Sequence, residues 1–75
     1  MVSDTFLFDT THHAIWAEEV AGDQGIAAEV IAAPPGSGAK CNLALLTRPD
    51  RAEELAVALT AEGIEFRRWP LPEGN

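Results

Sequence analysis

The amino-acid sequence predicts an α+β domain with the element order βαββαβ. Three observations carry that expectation: an internal repeat, two helical stripes flanked by short apolar runs, and a turn-rich centre. The repeat has a constant offset of 38 residues, since Ala52 follows Ala14, Gly63-Ile64 follows Gly25-Ile26 and Leu45 follows Leu7 by that interval. Each half therefore runs strand, helix, Gly-Ile, strand.

Thr5 to Phe8 form an apolar, aromatic run suited to a buried strand, and Asp9, Thr10 and Thr11 then offer three helix N-caps. From His12 to Gln24, Ile15, Trp16 and Val20 recur at helical spacing, with Glu18, Glu19 and Asp23 on much of the other face. Gly25 stops this helix. Ala27 to Ala32 suit a second strand, after which Pro34, Pro35, Gly36, Ser37 and Gly38 cannot sustain a ladder and form a loop. Leu43 to Thr47 give the third strand. Pro49 suits a first helical turn, and Ala52, Leu55, Ala56 and Leu59 make the apolar stripe of a second helix that ends at Gly63. Glu65 to Trp69 give the fourth strand, and Pro70, Pro72 and Gly74 mark a frayed tail.

This order suits a ferredoxin-like two-layer sandwich, with an antiparallel sheet of order 4-1-3-2 and both helices on one face. Two strand-exchanged chains sharing one sheet are the alternative. The central strands, at Phe6 and Leu45, are apolar on both sides although helices cover only one. The helix-free face is therefore expected to meet a second copy or a partner protein, with Trp69 on an edge strand as a contact.

The chain has 75 residues, which is room for one hydrophobic core, so residues 1–75 are taken as one domain with an ordered core over 4–70 and a tail over 71–75. Its 47% hydrophobic and 23% charged residues separate it from compositions that stay disordered. A core this small rarely contributes more than about 3–5 kcal/mol, so a homodimer is expected on size alone. Five Lys and Arg against twelve Asp and Glu leave a net charge of −7 and no cationic field for nucleic acid or anionic membrane. No apolar run approaches a membrane span, and the start of the chain lacks the pattern of a secretory signal, so the cytoplasm is the expected location.

One cysteine, Cys41, cannot form an internal disulfide, and thiolate zinc sites need several such residues. No metal or other cofactor is expected. In the expected topology the first and second strands run parallel, so the loop carrying Cys41 lies beside the start of helix one. There the unpaired N–H groups, together with His12, His13 and Thr11, favour a thiolate, and Lys40 adds a neighbouring cation. Gly36 and Gly38 let backbone N–H groups approach an anion and keep the loop mobile. The plain alternative is a small buried hydrophobe at the entry to strand three. His12 and His13, adjacent on a helix, project about 100° apart and are poorly spaced to share a metal. Glu18-Glu19 and Glu53-Glu54 are solvated helix faces, and residues 34–40 lack the lysine-hydroxyl pattern of a phosphate loop.

The whole pattern resembles the selenium/sulfur carrier protein-like family of small bacterial domains. The resemblance rests on Thr11-His12-His13-Ala14 opening a helix, on Gly25-Ile26, and on a strand leading to Pro34-Pro35. It extends through the glycine- and serine-containing loop, Cys41, the following apolar strand and Glu62-Gly63-Ile64-Glu65. Where the family usually has glycine after the cysteine this chain has Asn42, a residue that also tolerates a left-handed backbone. The resemblance implies a carrier that holds sulfur or selenium on Cys41 as a persulfide or selenosulfide, supported by Thr11, His12, His13, Gly38, Lys40 and Asn42. It implies donor and acceptor proteins as partners, and a relay rather than an enzyme with its own turnover. A binding or regulatory module acting as a dimer, with Cys41 incidental, is the second reading. A thiol redox sensor is the third.

Overall fold

A computed structural model describes residues 4–69 of the chain, so the tail expected over 71–75 lies outside the described residues. The elements are β1 (Asp4–Leu7), α1 (Thr11–Asp23), β2 (Ala28–Ala32), β3 (Leu43–Thr47), α2 (Pro49–Ala61) and β4 (Arg67–Trp69). They form an α+β fold with one four-stranded antiparallel sheet in the order β2-β3-β1-β4. Read from the other edge, that is the order 4-1-3-2. Strand three and Pro49 at the start of α2 fall where the sequence places them, whereas β1 ends one residue early and β4 begins only at Arg67.

The repeat is most faithful in the helices and their ends. Both have 13 residues. At each C-terminus a glycine takes a left-handed conformation, Gly25 at φ 71° and Gly63 at φ 81°. Its N–H reaches back three residues, to Gly22 or Thr60, and the next N–H, of Ile26 or Ile64, reaches back five, to Ala21 or Leu59. This is the Schellman arrangement, which satisfies carbonyls that the helix itself leaves without donors. It also drives Ile26 and Ile64 into the core, where both are buried.

Phe6 and Phe8 from the β1 side and Leu45 from β3 meet Ala14, Ala17, Val20 and Ala21 of α1 and Ala52, Leu55 and Leu59 of α2. Both helices thus cover the same face of the sheet. Alanines on α1 let it approach closely, and the large side chains come from the strands and α2; each is worth about 1.5–3 kcal/mol when fully buried. Arg68 ties the layers at one side, donating to Asp4 Oδ2 at 2.6 Å and to Glu53 Oε1 of α2 while its guanidinium lies 5.7 Å from the Phe6 ring centroid. The hydrogen bonds with Glu53 and then Asp4 raise the Arg68 pKa above its ordinary value, so the cation is retained.

Two expectations are corrected here. The first is the equivalence of Leu7 and Leu45. Phe6, not Leu7, pairs with Leu45 across the sheet, and Leu7 pairs with Ala44 on the face away from the helices. The connection from β1 into α1 presents Phe8 to the core, and this shifts the strand by one residue, which in a period of two exchanges the faces. The second is the unfilled apolar face. Leu7 is only 2% exposed and Ala44 fully buried within one chain. By register, Arg67 and Trp69 of β4 flank Leu7 and Thr5 on that face, and Ile31 of β2 flanks Ala44. Thr5, Leu7 and Ala44 are therefore covered within one chain, while Leu46 of β3 on the same face stays half-buried.

Candidate functional site

The loop between β2 and β3 carries the thiol. Its neck is closed by Ala33 N–H donating to the Asn42 carbonyl at 2.8 Å, one further rung of the β2-β3 ladder. Beyond that rung Pro34 and Pro35 offer no N–H, so the ladder stops. Ser37 N–H bonds back to the Pro34 carbonyl at 3.2 Å, with Pro35 second in the turn and Gly36 third at φ 81°. Proline followed by a left-handed glycine is the pattern of a type II turn. Gly38, at φ 74°, accepts a hydrogen bond through its carbonyl from Arg67 Nη2 at 3.1 Å. Because β1 lies between β3 and β4, this bond carries the loop across the end of β1.

Cys41 is a free thiol, half-buried and packed against the main core. Its Sγ donates to the Leu43 carbonyl at 3.1 Å. A carbonyl oxygen accepts from a thiol but offers nothing to a sulfur anion, so attack by the sulfur requires the side chain to leave this partner. Lys40 is exposed and lines an open groove of about 780 Å³ with Asp9, Thr60, Gly63, Ile64, Glu65, Phe66 and Arg67.

The pairings Leu7 with Ala44 and Ala32 with Leu43 set this loop at the end of the sheet where β1 passes into α1. At the helix start, Thr10 is the N-cap and accepts from His13 N–H at 3.1 Å through Oγ1, which also lies 3.0 Å from His13 Nδ1. Thr11, expected among the supporting groups, is the first helical residue. The N–H groups of Thr11 and His12 precede the first intrahelical bond, made by Ala14 N–H to the Thr10 carbonyl, and point out of the helix end. His12 is exposed and His13 half-buried, and both rings gather around Trp16, with centroids 6.3 Å from its ring in each case. The histidines are thus brought together with Thr10 and Trp16. Asn42 needs no left-handed backbone, since the described residues include no non-glycine residue at positive φ. Its contribution is the carbonyl that closes the loop neck.

Arg67, which lies 29 residues from the loop it holds, is not marked as a site residue by the sequence. The available signal was a cation on a short edge strand, and nothing in local spacing points from there to Gly38. Among the described residues no group of three or more His, Cys, Asp and Glu side chains is arranged to hold a metal ion, and no helix is long and apolar enough to cross a membrane.

A small α+β domain that presents one half-buried thiol on a glycine-bearing loop at a sheet end is the class that fold and site define. The chain belongs to the family described as "Putative Se/S carrier protein-like", whose model matches residues 5–69. That match runs from β1 to the end of β4 and includes the whole loop. No curated protein and no solved structure matches the chain at a significant level.

Proposed function

We propose that this protein is a sulfur or selenium carrier in which Cys41 holds the cargo atom as a persulfide or selenosulfide, on a ferredoxin-like scaffold in the cytoplasm. The reading is carried by one observation: the chain's only cysteine stands on a loop tied at its neck and at Gly38, at the sheet end where α1 begins. The family description supports it.

The chemistry is two successive displacements at sulfur. The Cys41 thiolate attacks the terminal sulfur of a donor persulfide, R–S–SH; the donor S–S bond breaks, the new Sγ–S bond forms, and the electron pair leaves on the donor as R–S⁻. An acceptor thiolate then attacks the terminal sulfur of the Cys41 persulfide and returns the Cys41 thiolate. Neither step needs an external oxidant or reductant, which suits a chain with one cysteine and so no second thiol of its own. Lys40 and the free N–H groups of Thr11 and His12 supply positive potential for the sulfur anion, and Gly38 with Asn42 fixes the loop that carries it. Donor and acceptor are proteins that meet this exposed end of the sheet.

The test is to incubate the native protein with an alkyl persulfide and weigh it intact. The expected result is a gain of one sulfur atom that thiol reductant removes and that Cys41→Ser abolishes. A native protein that gains nothing, yet is modified once denatured, makes Cys41 a packing residue and ends the carrier reading.

A further inference from the structure

We propose that two copies of the chain pair through the outer edges of β2, antiparallel about Val30, so that the two sheets become one continuous eight-stranded sheet. The two sheet edges are unlike. β4 has three residues, two of them arginines, and Pro70 follows in the sequence, which are devices that prevent pairing. β2 is a regular five-residue strand, Ala-Glu-Val-Ile-Ala, with neither proline nor lysine, and among the described residues no strand lies on its outer side.

The direction of its backbone groups follows from the neck of the loop. Ala33 N–H bonds to the Asn42 carbonyl, so in an antiparallel ladder Ile31 and Glu29 also face β3. Ala28, Val30 and Ala32 then turn both N–H and C=O outward. Pairing two such edges about Val30 sets Ala28 against Ala32 of the other copy and Glu29 against Ile31. Every outward group of these three residues finds a partner, and no like charges meet. That matters for a chain of net charge −7. Its outer helix surfaces carry exposed Glu18, Glu19, Asp23 and Glu62, which repel their own copies, whereas β2 contributes only Glu29. The two-fold arrangement is closed and self-complementary, as a homodimer requires.

Antiparallel edges send the two Cys41 loops to opposite ends of the joined sheet. With five residues per strand the loops start roughly 17 Å apart, so each thiol serves its own end and no disulfide joins them within this dimer. The inference is independent of what Cys41 carries.

Sedimentation equilibrium of the reduced protein, with circular dichroism to confirm folding, tests it. The wild type is expected as a dimer at micromolar concentration. Ile31→Glu sets glutamates opposite each other twice and should weaken association about tenfold or more. The double variant Glu29→Lys with Ile31→Glu restores opposite charges and should restore the dimer. Ala32→Pro deletes an outward N–H at an exposed residue, leaves the ladder to β3 intact and should also give monomer. A wild type that stays monomeric overturns the proposal. So does an Ile31→Glu or Ala32→Pro variant that dimerises as tightly as wild type, or a double variant that gives no rescue.

Discussion

Three glycines at or just beyond the helix C-termini separate conformational need from mere tolerance. Gly25 and Gly63 sit at φ 71° and 81°, and a Cβ built on either meets nothing within 4 Å. Alanine there costs backbone strain alone, about 1–2 kcal/mol for an L-residue held left-handed. Against it stands a gain of about 0.4–1 kcal/mol from the stiffer unfolded chain. The net expectation is destabilisation by about 1 kcal/mol for Gly25→Ala and the same for Gly63→Ala. Since α1 and α2 end at opposite ends of the sheet, the two losses should add in the double variant. Gly22 is the internal control. It lies in the last turn of α1 with helical backbone, is exposed, and its added Cβ also meets open space. Gly22→Ala should therefore stabilise by about 0.5–1 kcal/mol. In a domain of this size each kcal/mol moves the midpoint by about 4–8 °C, so thermal unfolding followed by circular dichroism resolves all three. If Gly25→Ala matches or exceeds wild type, the Schellman end of α1 is not required. If Gly22→Ala lowers the midpoint, the accounting of strain and entropy is refuted.

Two further outcomes concern the loop. Arg67→Met removes the donor to the Gly38 carbonyl and should speed alkylation of Cys41 without lowering the thermal midpoint by more than a few degrees; an unchanged alkylation rate would show that the bond does not restrain the loop. Replacing both His12 and His13 with Gln should leave the alkylation rate of Cys41 essentially unchanged, because the rings engage Thr10 and Trp16. A severalfold fall measured across a pH series would instead assign the imidazoles a direct part in activating the sulfur.

Alternation of short-range signals explains why so much of the fold is legible along the chain. The helices are set by local chemistry: an N-cap threonine or an N1 proline, a 3.6-residue stripe and a glycine that alone accepts the left-handed exit. These act within five or six residues, and the 38-residue repeat states them twice. Order β2-β3-β1-β4 follows from the same elements, because two strand-helix-strand units joined by one loop have few ways to share a sheet. Cys41 and its loop are legible too, since two prolines and two glycines announce a break in the ladder. Tertiary structure decided the rest. Whether Leu7 or Phe6 faces the helices depends on a one-residue phase that periodicity of two leaves open when Phe6, Leu7 and Phe8 are all apolar. The closure of the helix-free face over Leu7 and Ala44 comes from neighbours on β2 and β4 that are distant in the chain. The thiol's bond to the Leu43 carbonyl and the tether from Arg67 to Gly38 are set by backbone directions at the sheet end. Contacts of that kind depend on where strands finally pair, and pairing is a property of the assembled sheet, not of any window of sequence.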